Sequence, residues 1–311
     1  MAEGGAPDLE GLDLEGTVAW RAVLAETEGR LAAAGLPVRE ARWIVEEASG
    51  CATAADLDEL ATVRGMARHD AMVERRLAGE PLQYVLGRWA FRTLDLMVDR
   101  RVLIPRPETE VVAGLALLEV DRRVEGRPVG GDGDPVLVAD LGTGSGAIGL
   151  SVAAERLGTR VWCVDASADA VVVARANCAG LGRPARRVVV SEGSWFDGLP
   201  DDLAGRLDVV VSNPPYVAPD DYLPSEVVDW EPDSALFAPD DGALGAGTSA
   251  LRILVDGAPA WLAPGGALVL EMASDQTSAM ASYAEATGYV DVAVHPDLAG
   301  RERAMVARRP A

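Results

Sequence analysis

The spacing of apolar residues changes along the chain from a helical to a strand-like pattern. Up to about residue 80 the apolar positions recur every three or four residues, which predicts helices at residues 17–36, 38–48, 54–63 and 68–78. Residues 1–15 have little to bury and are expected to be a disordered tail. We therefore expect an N-terminal helical domain at residues 16–86, which either recognises a substrate or packs as a cap.

An alternating segment follows this helical region. Between residues 81 and 101 apolar side chains alternate with polar ones, which predicts a β-hairpin at residues 87–103 that links two domains. A helix at about residues 111–120 and a polar, glycine-rich linker at 121–135 come next. Thr109 lies at the start of that helix, where a capping role would account for it.

Short apolar runs then alternate with helical segments to the end of the chain. This alternation is typical of parallel strands joined by crossover helices, and it predicts strands near residues 136–140, 160–165, 187–191, 207–212, 266–271, 289–294 and 303–308. The last two strands are joined by a short loop, which predicts an antiparallel edge strand on an otherwise parallel sheet. The fold class expected for residues 104–311 is therefore α/β, with a seven-stranded Rossmann-like sheet.

Composition and charge narrow the class of protein. No apolar run reaches the roughly 20 residues of a membrane span, and the acidic N-terminus is unlike a secretory signal, so we expect a cytoplasmic protein. The net charge of −21 disfavours nucleic-acid binding, because phosphate contacts need clustered cations. No lysine occurs, which excludes lysine-based chemistry. Two histidines and three scattered cysteines predict no metal site.

A glycine-rich turn follows the first strand of the predicted sheet. The turn runs from Asp140 through Gly142, Thr143, Gly144, Ser145 and Gly146. Its glycines let a ligand approach the backbone at a helix N-terminus, while Asp165, ending the next strand, could hold a ribose diol. Gly-x-Gly-x-Gly after an acid fits S-adenosylmethionine better than a dinucleotide, because the acid can meet the ligand's amino group. Trp195 could lie against adenine, or pack in the core.

A second candidate site is the abrupt end of the fourth strand. The apolar run there is followed by Asn213, Pro214, Pro215 and Tyr216, and two prolines cannot continue a sheet ladder. A planar NH2 group needs two hydrogen-bond acceptors in its plane and a stacking surface above it. The Asn213 carboxamide and the backbone carbonyls could supply the acceptors, and the Tyr216 ring could supply the surface. A plain proline turn is the alternative. Residues 218–247 are predicted to form a mobile lid facing the substrate, or else a solvated insertion.

Together these motifs resemble the HemK (PrmC) family of protein N5-glutamine methyltransferases. The resemblance covers about residues 17–309 and is carried by the glycine turn together with residues 79–84 and 87, 103–110, 212–217, 230–232 and 297–301. It implies an enzyme that uses S-adenosylmethionine to methylate the glutamine of the Gly-Gly-Gln motif in its protein partners, the class 1 peptide release factors. It also implies a methyltransferase sheet at residues 104–311.

The same resemblance implies the site residues. It places the cofactor on residues 142–146, Asp165, Trp195 and Asn213, and the acceptor glutamine on residues 213–216, which form the catalytic segment. The hypothesis that follows is that Asn213 and the Pro214 carbonyl accept the two N–H bonds of the glutamine amide.

Two positions depart from the family pattern, and three alternatives stay open. Ser194 stands where aspartate is frequent, which affects adenine recognition, and Ala273 stands where glycine is usual, near the substrate. The alternatives are a glutamine methyltransferase for another protein such as a ribosomal protein, a nucleic-acid amino-methyltransferase, and a binding module without catalysis. The acidic charge argues against the second.

Overall fold

The computed structural model describes residues 17–125, 134–242 and 244–311, in two compact units that divide between Leu86 and Gly87. The predicted tail at residues 1–15 and the centre of the linker predicted at 121–135 lie outside the described residues. Within the described ranges, no helix combines the length and the apolar composition that crossing a bilayer requires.

The first unit is helical. It contains α1 (Trp20–Ala33), α2 (Glu40–Ser49), α3 (Val63–Leu77) and the short α4 (Leu82–Leu86), which was not predicted. Three of the four predicted helices are present, and the one at residues 54–63 is wrong, because only a 3-10 turn forms at Asp56–Asp58. The Asp56 carboxylate accepts the backbone N–H groups of Ala52 and Thr53 and so competes with helix formation. Thr62 then caps α3 by accepting from Gly65.

The second unit begins with the predicted hairpin and then builds a sheet with helices on both faces. The hairpin consists of β1 (Arg88–Phe91) and β2 (Leu94–Met97). The sheet strands are β3 (Val136–Leu141), β4 (Thr159–Asp165), β5 (Val188–Glu192), β6 (Leu207–Ser212), β7 (Leu262–Glu271), β8 (Val290–Pro296) and β9 (Glu302–Arg308). The helices are α5 (Pro107–Glu125), α6 (Ala147–Glu155), α7 (Ala168–Gly180), α8 (Ser225–Val228), α9 (Asp233–Leu236), α10 (Ser249–Trp261) and α11 (Thr277–Ala286).

The sheet confirms the predicted α/β class of seven strands and corrects one detail of its topology. Its order is β5-β4-β3-β6-β7-β9-β8, with β3 to β7 parallel and β9 antiparallel to both of its neighbours. The antiparallel strand is therefore not at the edge. Four consecutive residues of β9, from Ala304 to Ala307, are buried, whereas most of β8 is partly or fully exposed, so the more apolar strand takes the inner place.

The strand order reverses between β3 and β6. From β3 the chain moves outward to β4 and β5, and it then returns to the other side of β3 through β6 and β7. Helices α5 and α6 cover one face of the sheet, and α10 and α11 cover the other. A crevice forms at such a reversal, at the carboxyl ends of the strands. Asp165 ends β4, Asn213 follows β6 and Glu271 ends β7. The topology therefore brings these three residues together at the carboxyl ends of the parallel strands.

Candidate active site

The glycine turn between β3 and α6 has a backbone that other residues rarely adopt. Gly142, Gly144 and Gly146 have φ angles of 69°, 56° and 87°. A β-carbon built on Gly144 would meet no atom within 4 Å, whereas one on Gly146 would lie 2.8 Å from the Leu150 side chain. The turn is thus packed below Gly146 and open at Gly144, where a ligand can reach the backbone.

Asp140 braces this turn from beneath. Its Oδ2 accepts from the Thr143 hydroxyl at 2.6 Å and from the Gly149 N–H at 2.8 Å, and burial raises the pKa of its carboxyl to about 6. Its Oδ1 is buried and has no hydrogen-bond partner among the described residues. The structure thus gives Asp140 a supporting role, and its contact with an amino group of the ligand stays a prediction.

Asp165 closes the other side of the turn. Its two carboxylate oxygens accept the backbone N–H groups of Gly144 and Ser167, at 2.8 and 2.9 Å. Burial raises the pKa of this carboxyl, and the two N–H bonds lower it. A carboxylate has about four acceptor sites, so both oxygens can still accept ribose hydroxyls.

Trp195, three residues after the end of β5, has a strained backbone. Its φ of 50° is an outlier for an aromatic residue, and its ring approaches the β-carbon position of Gly142 at 3.5 Å. The ring packs partly against the apolar core and also lines a cavity. Such strain is concentrated at functional sites, which supports a role for the ring in binding.

These residues enclose the first of two cavities, which we call the donor cavity. Of the predicted cofactor residues, those that line it are Gly142, Thr143, Gly144, Ser145, Asp165, Trp195 and Asn213. Asp140 and Gly146 are buried and are not among its described lining residues. Ser194 also lines it. An acid, an aromatic face and an open glycine backbone match the ribose, adenine and amino-acid parts of S-adenosylmethionine.

The strand end at Asn213 is fixed by two side-chain contacts. Ser212 donates its hydroxyl to the Leu141 carbonyl at 2.5 Å, which ties β6 to β3. The Asn213 Nδ2 donates to the Thr109 Oγ1 at 3.1 Å. Thr109 is buried within α5 and its hydroxyl faces Asn213, so its predicted capping role is wrong. The Asn213 Oδ1 has no hydrogen-bond partner among the described residues.

A second cavity, the acceptor cavity, shares Asn213 with the first. Its lining includes Arg106, Glu108, Asn213, Pro214, Tyr216, Asp221, Tyr222, Ala273 and Arg303. The Arg303 Nε is buried and without a partner among the described residues. Tyr216 donates its phenol to the Glu271 Oε1 at 3.2 Å, and burial next to that carboxylate raises the pKa of the phenol far above neutrality. Pro215 lines the donor cavity instead, so the predicted catalytic segment faces both cavities.

Glu271 is the polar residue of this region that the sequence reasoning missed. Its side chain is inaccessible, and burial raises the pKa of its carboxyl to about 7, against the lowering effect of the Thr109 and Tyr216 hydroxyls. Its Oε2 has no hydrogen-bond partner among the described residues. A signal was present, because Glu271 directly ends an apolar parallel strand, as Asp165 does.

The segment predicted as a lid forms walls of both cavities. Pro232 and Ser234 line the donor cavity, and Tyr222 and Val227 line the acceptor cavity. Gln276 holds the two ends of this segment by donating to the carbonyls of Tyr216 and Ala246, at 3.0 and 2.9 Å. The segment therefore belongs to the site, and its mobility stays a prediction.

Glu231 anchors the wall that carries residues 103–106. Its carboxylate accepts the Ile104 N–H at 3.0 Å and pairs with Arg106. The Glu231 side chain is 1% exposed and that of Arg106 is 30% exposed, so removing the carboxylate leaves one buried N–H and one half-buried cation without an acceptor. This contact therefore carries more free energy than a surface ion pair.

We expect Glu231→Ala to lower the free energy of unfolding by about 3 kcal/mol. The measurement is urea unfolding followed by circular dichroism. Asp95→Ala is the matched control, because it removes the hairpin ion pair of Arg88 with Asp95, whose side chains are 57% and 54% exposed. That control should cost less than about 0.5 kcal/mol. Equal losses in the two variants would contradict the anchoring role of Glu231.

Comparisons with known proteins agree with this geometry. Residues 22–87 match the family described as PrmC N-terminal domain, and residues 134–227 match the methyltransferase small domain. A release factor glutamine methyltransferase of Xylella fastidiosa is 44% identical over 77% of this chain and 80% of its own length. Those of Streptomyces coelicolor and Cereibacter sphaeroides are 38% and 37% identical, over 93% and 91% of this chain and 97% and 95% of their own lengths. The chain therefore belongs to the family of release factor glutamine methyltransferases, and it is an enzyme whose cofactor is S-adenosylmethionine.

Proposed function

We propose that this enzyme methylates the side-chain amide nitrogen of the glutamine in the Gly-Gly-Gln motif of class 1 peptide release factors. The observation that carries the proposal is the position of Asn213, which lines both cavities and keeps its Oδ1 free of any hydrogen bond within the described residues. To meet a methyl donor in the first cavity, an NH2 group in the second would have to be held at the junction of the two. Asn213 places a hydrogen-bond acceptor at that junction.

The residues of the strand end match the needs of an amide acceptor. An amide nitrogen is a poor nucleophile because its lone pair is delocalised into the carbonyl. The Asn213 Oδ1 and the Pro214 carbonyl would accept its two N–H bonds, and the Tyr216 ring would pack on the amide plane. These acceptors stabilise positive charge that develops on nitrogen, and the fixed orientation removes several kcal/mol of the barrier.

The chemistry requires no dedicated base. S-adenosylmethionine supplies an electrophilic methyl group on its sulfonium. With the acceptor nitrogen held by Asn213 and Pro214 at the junction of the two cavities, the methyl group would pass from sulfur to nitrogen, and the proton released from the methylated amide would go to water. Because burial raises the pKa of the Tyr216 phenol, Tyr216 stays neutral and serves as a packing surface and hydrogen-bond donor.

The donor and acceptor groups of the acceptor cavity support a neutral polar ligand. Glu108 and Asp221 line it together with Arg303, so charges of both signs face the ligand. The net charge of −21 disfavours a polyanion such as RNA or DNA. A glycine-flanked glutamine would offer its side-chain amide to Asn213 and its backbone polar groups to the charged side chains that line this cavity. A release-factor substrate also agrees with the expected location in the cytoplasm.

The experiment that tests this proposal is methyl transfer from radiolabelled cofactor to purified release factor. We expect label in the wild-type release factor and none when its motif glutamine is replaced by alanine. Whole-cell extract and ribosomes are tested in parallel. Label that appears only in another protein would identify a different glutamine substrate, label in nucleic acid would overturn the acceptor assignment, and cofactor binding without any transfer would indicate a binding module.

A further inference from the structure

Gln276 joins three backbone segments beside the acceptor cavity. Its Nε2 donates to the carbonyls of Tyr216 and Ala246, at 3.0 and 2.9 Å, and its Oε1 accepts the N–H of Ala273 at 3.0 Å. A side-chain amide has two N–H groups, so both donors of Gln276 are used. Tyr216 and Ala273 line the acceptor cavity, whereas Gln276 is 7% exposed and is not among the described residues that line either cavity.

The Tyr216 carbonyl depends on this donor. It accepts no other hydrogen bond within the described residues. A β-carbon built on Gly247 would lie 2.3 Å from the Tyr216 oxygen, so the chain itself, rather than water, occupies that side of the carbonyl. Without Gln276 the carbonyl would lose its hydrogen bond, and the backbone would have to shift to regain one.

Gln276 ties Tyr216 to the loop that follows β7. The phenol of Tyr216 donates to the Glu271 Oε1 at 3.2 Å, and Glu271 ends β7 shortly before Gln276. The loop therefore holds both the ring and the main chain of Tyr216. The next residue, Val217, donates its N–H to the Leu236 carbonyl, which belongs to the segment at residues 218–247 and not to the sheet.

The middle of the catalytic segment, residues 213–216, has no ties of its own. At its start the Asn213 Nδ2 donates to the Thr109 Oγ1 at 3.1 Å. Pro214 and Pro215 have no backbone N–H, and the Pro214 carbonyl accepts no hydrogen bond within the described parts of the chain. The position of that carbonyl is therefore set by the contacts at the two ends of the segment.

We propose that Gln276 is a positioning residue for methyl transfer: by holding the Tyr216 carbonyl, it keeps the Pro214 carbonyl and the Tyr216 ring where the substrate amide binds. This inference rests on the proposed function, in which Pro214 accepts from that amide and the ring packs on its plane. Gln276 acts only through the backbone groups to which it is bonded. A displacement of about 1 Å at the reacting groups can cost about 100-fold in rate, so loss of this tie should appear in kcat.

The kinetic test uses the full chain with release factor as substrate. Gln276→Met removes all three hydrogen bonds at a similar side-chain length, and it should lower kcat by about 10- to 100-fold. Gln276→Glu keeps an acceptor for the Ala273 N–H but, when ionised, has no proton to donate to the two carbonyls, so its kcat should also fall. The KM for release factor and the dissociation constant of the cofactor should each change by less than about threefold. A normal kcat in Gln276→Met would overturn the inference.

Thr277→Val is the matched control, because it removes side-chain hydrogen bonds at the adjacent buried residue. The Thr277 hydroxyl lies 2.9 Å from the Ser274 carbonyl and 2.8 Å from the Glu302 carboxylate, and Thr277 is 1% exposed. Neither partner is among the described residues that line the cavities. Urea unfolding should show a loss of stability in Thr277→Val and in Gln276→Met, but kcat should fall only in Gln276→Met. An equal fall in kcat would show a general structural effect and would contradict the inference.

A second measurement needs no substrate. A valine follows a tyrosine at three places in the chain, Tyr84–Val85, Tyr216–Val217 and Tyr289–Val290. Labelling tyrosine with 13C at the carbonyl and valine with 15N therefore gives three NMR signals, and Tyr216→Phe identifies the one from Tyr216. Gln276→Met should move this carbonyl signal upfield, because a hydrogen bond deshields a carbonyl carbon, and it should leave the other two signals unchanged.

The two measurements separate the inference from the proposed function. If the wild-type enzyme leaves release factor unmethylated, the proposed substrate is refuted, and the NMR signal still decides whether Gln276 holds the Tyr216 carbonyl. If release factor is methylated but Gln276→Met leaves the Tyr216 signal in place, the positioning role alone is refuted. Movement of all three signals together would show a general structural effect and would also contradict the inference.

Discussion

Replacing Asn213 by alanine is expected to lower kcat for glutamine methylation by about 1,000-fold. The substitution removes the acceptor at the junction of the two cavities, which is the group proposed to hold and orient the substrate amide. The dissociation constant of the cofactor should stay within about threefold of the wild-type value, because Asn213 is only one of many residues that line the donor cavity. The measurements are single-turnover methylation and isothermal titration with the cofactor.

Asn177→Ala is the matched control, because it makes the same chemical change at the other asparagine. Asn177 holds the hairpin to the glycine turn through Met97 and Ser145. Its loss should weaken cofactor binding and stability while leaving kcat at saturating cofactor largely intact. Near-normal turnover in Asn213→Ala, or the same kinetic pattern in both variants, would contradict the proposed role of Asn213.

Replacing Asp165 by alanine is expected to weaken cofactor binding by about 10- to 100-fold, which corresponds to the loss of charge-assisted hydrogen bonds. Both carboxylate oxygens accept from backbone N–H groups of loops that line the donor cavity, and both have capacity left to accept ribose hydroxyls. At saturating cofactor kcat should change only a few-fold, because Asp165 lies away from the acceptor cavity. Isothermal titration and steady-state kinetics measure the two effects.

Asp169→Ala controls for the loss of one negative charge near the same site. Asp169 is an exposed acid in the first turn of α7 and is not among the described residues that line either cavity. Its replacement should leave the dissociation constant of the cofactor within about twofold of the wild-type value. An Asp165→Ala enzyme with wild-type cofactor affinity would show that Asp165 does not hold the cofactor.

The elements of the fold were largely predictable because their patterns are local. Each of the seven sheet strands has its own apolar run between turn signals, and the predicted positions match β3 to β9 to within a few residues. The wrong helix at residues 54–63 was not recognised as a loop, because Asp56 and Thr62 act through side-chain bonds to the backbone. The inner position of β9 depends on how the last two strands are buried in the completed sheet. In the sequence, the only indication was that β9 is more apolar than β8.

The candidate site was predictable where a strand end belongs to a recognisable motif, and unpredictable where a residue's role depends on partners that are distant in sequence. The glycine turn, Asp165 and Asn213 stand in recognisable motifs at strand ends. Thr109 was taken for a helix cap, because its partner Asn213 lies 104 residues away. Glu271 lies 55 residues from Tyr216, and the link between them appears only when β6 and β7 lie side by side.

The position of the transferred methyl group tests the central claim most directly. Purified enzyme, cofactor and release factor are incubated, and tandem mass spectrometry of the proteolysed release factor locates the added methyl. The account predicts a single methyl on the side-chain nitrogen of the Gly-Gly-Gln glutamine, present with wild-type enzyme and absent with Asn213→Ala. A methyl on any other atom of the release factor, or equal methylation by the Asn213→Ala enzyme, would contradict it.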